Sequence, residues 1–299
     1  MKKSAIDPAQ PPVSRCICKG PTSGILLSRR LWLAALGSVG ALPLLAQIAA
    51  PPDNGDSVRD RNAASMAARF ERDVAPRLSM PHDEAVAYAD RLNDAFEKAL
   101  LTVFVPQFVV LIDRSPQVQA ALLYVGAGRE WTLIGATPVS TGLPGRYEHF
   151  TTPLGVFDHS MANPDFRAEG TKNKRGFRGY GRKGLRVYDF GWVKAPRGWG
   201  DGRMGVLRLQ MHSTDPDFAE SKLGSAQSEG CVRIPAALNA FIDQHALIDA
   251  DYDRAVAEGQ RLWVLRADRT PTAFPGRYLV VIDSHRTERP PWSPAPAKL

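Results

Sequence analysis

The sequence predicts a mainly β domain with flanking helices. Three features predict it: a 3–4-spaced apolar stripe before residue 102, short β-branched runs after Val103, and a helical pattern that begins after Pro235. At 299 residues and 44% hydrophobic composition the chain is long enough to bury a full core.

Residues 1–50 stand apart from the rest. A basic leader ends in Ser28-Arg29-Arg30, an apolar run follows from Leu31 to Ile48, and Ala49-Ala50 closes it. A positive start, an apolar middle and a small-residue exit describe a secretory signal, and the paired arginines resemble a twin-arginine export signal. The protein is therefore expected in the periplasm or cell envelope. The run is nearly long enough to span a bilayer, so an uncleaved signal would tether the chain to the membrane, although Pro43 and the glycines make a poor permanent span. The leader holds six basic residues (Lys2, Lys3, Arg15, Lys19, Arg29, Arg30) against one acid, Asp7, so its removal lowers the formal charge from +7 to +2. A nucleic-acid partner thereby loses its main support. Of the three cysteines, Cys16 and Cys18 lie in the leader, which leaves Cys231 alone in the mature chain. A lone thiol in an oxidising compartment is either buried and inert or kept for its reactivity.

Residues 51–102 read as a helical segment. One helix is expected near Ser57 to Val74. A second is entered at Pro81-His82-Asp83 and carries Ala85, Tyr88, Leu92, Phe96 and Leu100 on one face. Both are expected to pack on the domain that follows. That domain, 103–268, opens with strands at Phe108–Ile112, Ala121–Val125 and Trp131–Ile134, the last two joined as a hairpin across Gly126 to Glu130. Residues 161–203, dense in Gly, Arg and Lys, read as a long functional or mobile loop. Gly205–Met211 reads as a strand, Pro235 opens a helix with Leu238, Phe241, Ile242 and His245 on one face, and a further strand is expected at Arg261–Leu265. Residues 269–299 hold a terminal strand at Tyr278–Ile282 and a Pro-rich tail whose last ten residues read as disordered.

The chemistry centres on Ser228-Glu229-Gly230-Cys231-Val232-Arg233-Ile234-Pro235. A glycine directly before a nucleophile lets the backbone turn tightly and lets a substrate carbonyl approach the amides that stabilise its oxyanion. If Pro235 starts a helix, Cys231 sits just upstream of a positive dipole end that favours a thiolate. A thiol near its ordinary pKa needs a base beside it, and His212 is the best candidate of six histidines. It ends an alternating strand in which Leu207, Leu209 and Met211 face one way and Arg208, Gln210 and His212 the other. The remaining histidines keep a structural reading.

Four stretches, in order, resemble the L,D-transpeptidases with a YkuD-type catalytic domain: Pro138-Val139-Ser140-Thr141-Gly142, Thr152-Pro153-Leu154-Gly155-Val156-Phe157, His212, and Ser228-x-Gly230-Cys231-x-Arg233. The resemblance covers about residues 105 to 266. It implies a YkuD-like β-sandwich, peptidoglycan stem peptides as partners, Cys231 as nucleophile and His212 as base. It also implies the Gly230 and Cys231 amides as oxyanion hole, and Ser213, Ser228 and Arg233 as site-shaping or substrate-binding residues, with Arg233 suited to a substrate carboxylate. The Thr152–Phe157 stretch is expected to be a structural turn and strand. The family usually has a second histidine before the glycine, and here that position is Glu229. The implied reaction loses D-alanine from a tetrapeptide stem, forms a thioester and passes the acyl group to an amine. The alternatives are a hydrolytic relative that uses water, as a carboxypeptidase or cell-wall amidase, and a catalytically silent envelope-binding module.

Other residues carry weaker readings. Asp215 either orients His212 or belongs to an ordinary Asp215-Pro216 turn. Arg167, Lys172, Lys174, Arg175, Arg178, Arg182, Lys183 and Arg186 form a solvated basic loop or a lid over acidic stems. The residues contain no zinc or calcium ligand pattern, so no metal and no cofactor are expected.

Overall fold

The computed structural model describes residues 55–174 and 176–296. The export signal read over residues 1–50, with Cys16 and Cys18, lies outside the described residues, as does Arg175.

Both expected helices form, α1 (Gly55–Asp73) and α2 (His82–Lys98). Acidic Asp83 and Glu84 in the first turn of α2 and Lys98 in its last complement the helix dipole. Its stripe buries Tyr88, Leu92 and Phe96, as the spacing predicts, but Leu100 is 92% exposed. The helix has ended by then: Leu100 takes a left-handed φ of 55° and Leu101 N–H returns to Phe96 O, 3.0 Å, a helix-closing motif that turns the Leu100 side chain to solvent.

The remaining elements are β1 (Gln107–Asp113), β2 (Ala120–Ala127), β3 (Glu130–Pro138), β4 (Gly155–Asp158), β5 (Phe166–Arg167), β6 (Arg186–Pro196), β7 (Met204–Ser213), β8 (Val232–Ile234), α3 (Ala236–His245), α4 (Ala250–Ala257) and β9 (Tyr278–Ile282). They build two sheets, ordered β3-β2-β1-β9-β4 and β5-β6-β7-β8, with β1 parallel to β9, β7 parallel to β8 and the other pairs antiparallel. Mixed sheets with an α-helical start match the expected sandwich. One core joins Phe108, Val110 and Leu123 of the larger sheet to Tyr188, Leu209, Met211 and Val232 of the smaller, with Phe70 of α1 and Phe241 of α3 at its side. A second core lies between α2 and the outer face of the larger sheet, where Tyr88, Leu92 and Phe96 meet Val109, Leu111 and Val280. Every β1 residue is buried because both faces of that sheet are covered, which is why β1 reads as an unbroken apolar run.

Several expectations need correction. Residues 161–203 are not one loop: they include β5 and all eleven residues of β6, the longest strand described. Arg and Gly masked it because Arg186 is buried and Gly191, at φ 79°, makes a bulge between Asp189 and Trp192. Arg261–Leu265 is a turn rather than a strand, and α4 precedes it. The boundary at 268 divides the larger sheet, since β9 lies between β1 and β4. The proline-rich tail is ordered through residue 296: Trp292 packs edge-on against Tyr88 at 5.7 Å and Ser293 Oγ donates to Val118 O, 2.7 Å. Prolines suit this segment because it adds no strand and needs few backbone N–H partners.

Candidate functional site

Strand alternation builds the site. On β7, Leu209 and Met211 enter the core, so Arg208, Gln210 and His212 face the other way. On β8, Val232 and Ile234 enter the same core, so Cys231 and Arg233 share the face of Gln210 and His212. The parallel register pairs His212 with Arg233 and Met211 with Val232, which brings Cys231 level with Gln210. The eighteen residues between His212 and Cys231 thus return the chain to the end of β7.

The turn before Cys231 is braced on both sides. Gly230 has φ 128°, and a Cβ there would lie 2.8 Å from Leu207 Cδ2 and 3.0 Å from Phe150 Cβ, so only glycine fits. Thr152 Oγ1 donates to Gly230 O, 2.8 Å, and accepts from Gly142 N–H, 2.8 Å. Ser228 Oγ donates to Cys231 O, 2.6 Å, and accepts from Gly230 N–H, 3.1 Å. The Thr152 stretch, expected to be structural, does lead into β4, and it also holds the turn that carries the thiol. Gly230 N–H is engaged by Ser228 and does not point free toward the cleft, unlike the expected oxyanion donor.

His212 is buried. Its Nδ1 donates to Ser213 O, 2.6 Å, which leaves Nε2 as the acceptor nitrogen. Burial pushes the imidazole down to about 4, with Arg233 adding to the fall, so it is neutral at pH 7. Burial also pushes the partly exposed Cys231 thiol up to about 11; the Gln210 backbone and Arg233 oppose this, while Asp189 and Glu229 add to it. The resting pair is therefore a thiol and a neutral imidazole. The expected help from a helix dipole is lost: α3 does begin after Pro235, but β8 separates it from Cys231 and the effect fades within the first turn. The Sγ lies 3.6 Å from Arg208 O and makes no hydrogen bond to His212 among the described residues.

Asp215 makes no hydrogen bond to His212 among the described residues. It is fully buried and accepts from Arg178 N–H, 2.7 Å, and Asp217 N–H, 2.8 Å. Ser213 meets His212 through its carbonyl oxygen, and its side-chain Oγ donates to Tyr180 O, 3.1 Å. Arg233 lies on the His212 side, Nη1 reaching Gln227 O at 3.4 Å and the guanidinium 5.9 Å over Phe177. The basic cluster divides: Arg178 pairs with Asp217, Arg167 with Asp243, and Arg186 is buried in the core.

Cys231 opens on a cleft of about 510 Å³ lined by Glu148, Phe150, Phe166, Tyr180, Leu207, Arg208, Gln210 and Glu229. Tyr180 stands edge-on to His212, 4.8 Å between centroids, and its hydroxyl donates to Gln210 Oε1, 3.0 Å. Gln210 Nε2 in turn reaches buried Asp189, 2.8 Å. Sequence reasoning gave no role to Tyr180, Gln210 or Asp189. Arg208 and Gln210 were readable from the period of β7, which puts them on the His212 face, whereas Tyr180 arrives from a glycine-rich loop without any local signal.

Among the described residues no helix is long and apolar enough to cross a membrane. Residues 107–271 match the family model YkuD, described as the L,D-transpeptidase catalytic domain. No curated protein matches the chain. Similar solved structures include Bd1075 of Bdellovibrio bacteriovorus, at 15% identity and TM-score 0.29, covering 60% of this chain and 54% of that one. Another is a fused zinc-dependent amidase/peptidase/peptidoglycan-binding domain-containing protein of Clostridium acetobutylicum, at 12% identity and TM-score 0.28, covering 69% of this chain and 64% of that one. A third is the helical cell shape determining protein Pgp2 of Campylobacter jejuni, at 12% identity and TM-score 0.27, covering 69% and 58%. The chain thus spans less than two thirds of the length of each. The family model covers more than half of this chain, and the chain belongs to the YkuD family of L,D-transpeptidase catalytic domains, a family of cell-wall enzymes.

Proposed function

We propose that this protein is a peptidoglycan L,D-transpeptidase that works through a thioester on Cys231, with His212 as base, after export to the cell envelope by residues 1–50. The observation that carries the reading is a partly exposed thiol that lines a cleft and a buried neutral imidazole on the same sheet face, one strand away.

The thiol attacks the carbonyl before the terminal D-alanine of a tetrapeptide stem. An S–C bond forms as Nε2 of His212 takes the Sγ proton, and the C–N bond breaks as that proton passes to the departing amine. Because both groups rest neutral, the proton moves only when the substrate is in place. The oxyanion role falls to the Cys231 amide, since Gly230 N–H is held by Ser228. An amine then attacks the thioester, the C–S bond breaks, and the amine's proton returns through His212 to sulfur. The energy comes from the peptide bond broken, so no nucleotide enters. Transfer to an amine rather than to water is favoured by Glu148 and Glu229, two cleft carboxylates with no ion-pair partner among the described residues, which draw in a cationic acceptor.

The test is to incubate the mature protein with a tetrapeptide muropeptide and read its intact mass beside Cys231→Ala and His212→Ala. An adduct equal to the stem minus D-alanine, absent from both variants, supports the reading. An unchanged tetrapeptide over hours with no adduct overturns it.

A further inference from the structure

The residue expected to hold a substrate carboxylate was Arg233, yet its guanidinium does not line the cleft. Another does. Arg208 lines the cleft beside Cys231, and its carbonyl oxygen lies 3.6 Å from Sγ. Its Nε donates to Asp189 Oδ2, 2.7 Å, and its guanidinium lies 5.9 Å over the exposed Trp192 ring. Asp189 is fully buried, at 0% exposure, and also accepts from Gln210 Nε2, 2.8 Å, and Gly191 N–H, 2.8 Å.

This arrangement holds the guanidinium plane from its inner edge and leaves its outer edge free. Nη1 and Nη2 make no hydrogen bond or ion pair among the described residues, and the side chain is 43% exposed. Neither Glu148 nor Glu229 pairs with it. Two parallel N–H donors at a fixed angle, on a residue that lines the cleft, fit a planar carboxylate.

We propose that Arg208, oriented by buried Asp189, binds a free α-carboxylate on the residue whose amine leaves or enters at the Cys231 acyl centre. The inference rests on the thioester reading. The departing and incoming amines occupy the same position opposite sulfur, so an α-carboxylate on either one falls to the same guanidinium. Arg208 is then a specificity-determining residue and Asp189 a positioning residue.

The experiment pairs donors and acceptors that differ only in this group. Acylation is timed by intact mass with a tetrapeptide ending in D-Ala and with its C-terminal amide. Transfer from the preformed thioester is timed with D-methionine and with D-methioninamide. The parent protein is expected to prefer the acid form about tenfold, the scale of one charge-assisted pair. R208Q should bring that ratio to about one, R208K should leave an intermediate ratio because a lysine is a point charge, and D189N should lower the ratio while transfer to neutral hydroxylamine persists. A change confined to acylation assigns the carboxylate to the leaving residue, and a change confined to transfer assigns it to the acceptor. Equal rates for acid and amide in a parent protein that does acylate overturn the proposal alone, whereas failure to acylate with either donor overturns the thioester reading and this one with it. Should R208Q fail to fold, the parent's acid-to-amide ratios decide.

Discussion

Two buried histidines in this protein meet opposite surroundings. His212 has one ring nitrogen on a backbone carbonyl and the other unbonded, so it is neutral. His159 places Nδ1 2.8 Å from Ile248 O and Nε2 2.9 Å from Asp165, so both nitrogens face acceptors and both must carry protons. Burial pulls His159 down, but the charge and hydrogen bond of Asp165 outweigh it, with Asp249 adding, and the pKa rises. Around it Arg186 bonds Asp165 at 2.6 Å and Asp249 at 2.7 Å, stacks near Tyr188 and Tyr252, and reaches Asp243. The difference teaches that burial without a carboxylate keeps an imidazole neutral, and burial among carboxylates makes a structural cation. The cluster ties β5 and β6 to α4 and the end of α3, while His212 beside the cleft keeps one ring nitrogen without a hydrogen bond among the described residues.

The largest expected effect separates the two regions by activity. His212→Ala should slow acylation by about a thousandfold, whereas His159→Gln should leave acylation within a few-fold wherever the protein is folded. Mass-resolved time courses on both variants check this; a slow His159→Gln and a fast His212→Ala would reverse the assignment.

Stability should separate them the other way. Arg186→Leu leaves Asp165 and Asp249 buried without their cation, and should cost about 3–5 kcal/mol in urea unfolding at pH 7. A loss under about 1 kcal/mol would mean that water already reaches the cluster.

The pH dependence should sharpen the contrast further. The depressed His212 contributes stability that is present above its ordinary value of 6.5 and lost as pH falls through about 4, up to about 3 kcal/mol. The raised His159 contributes stability that is full below 6.5 and lost as pH rises through its folded pKa. Urea midpoints measured from pH 4 to 9 should therefore flatten on the acid side in His212→Ala and on the alkaline side in His159→Gln. The Cys231 thiol belongs to the same test: its alkylation by iodoacetamide should keep rising with pH toward about 11, and a plateau near pH 7 would reveal an ion pair instead.

The smallest effect concerns the brace of the turn that carries Cys231. Thr152→Val removes a buried hydroxyl that joins Gly142 N–H to Gly230 O, and should cost about 1–2 kcal/mol with a matching loss of acylation rate.

Much of this was legible in the residues. Apolar periodicity located both early helices and the strands β1, β2, β3 and β7, because these elements each present a continuous face to a core. The motif around Cys231 and the alternation ending at His212 pointed to one site for the same reason: period two sorts a strand into core and cleft. β6 escaped notice because its buried Arg186 and Asp189 look polar in one dimension, and only their partners Asp165, Asp249 and Arg208 explain them. Leu100 misled because a helical stripe does not mark the residue at which the helix ends.

By itself, then, the sequence determined the family and the strand-rich fold, and it pointed to Cys231 and His212 as one site, since these follow from residue type and local spacing. Tertiary structure alone decided that His212 is neutral while His159 is charged, that Gly230 N–H is engaged, that Tyr180 packs on His212 and that Arg208 rather than Arg233 lines the cleft. Protonation and orientation depend on burial and on partners tens of residues away, and no local pattern encodes either one.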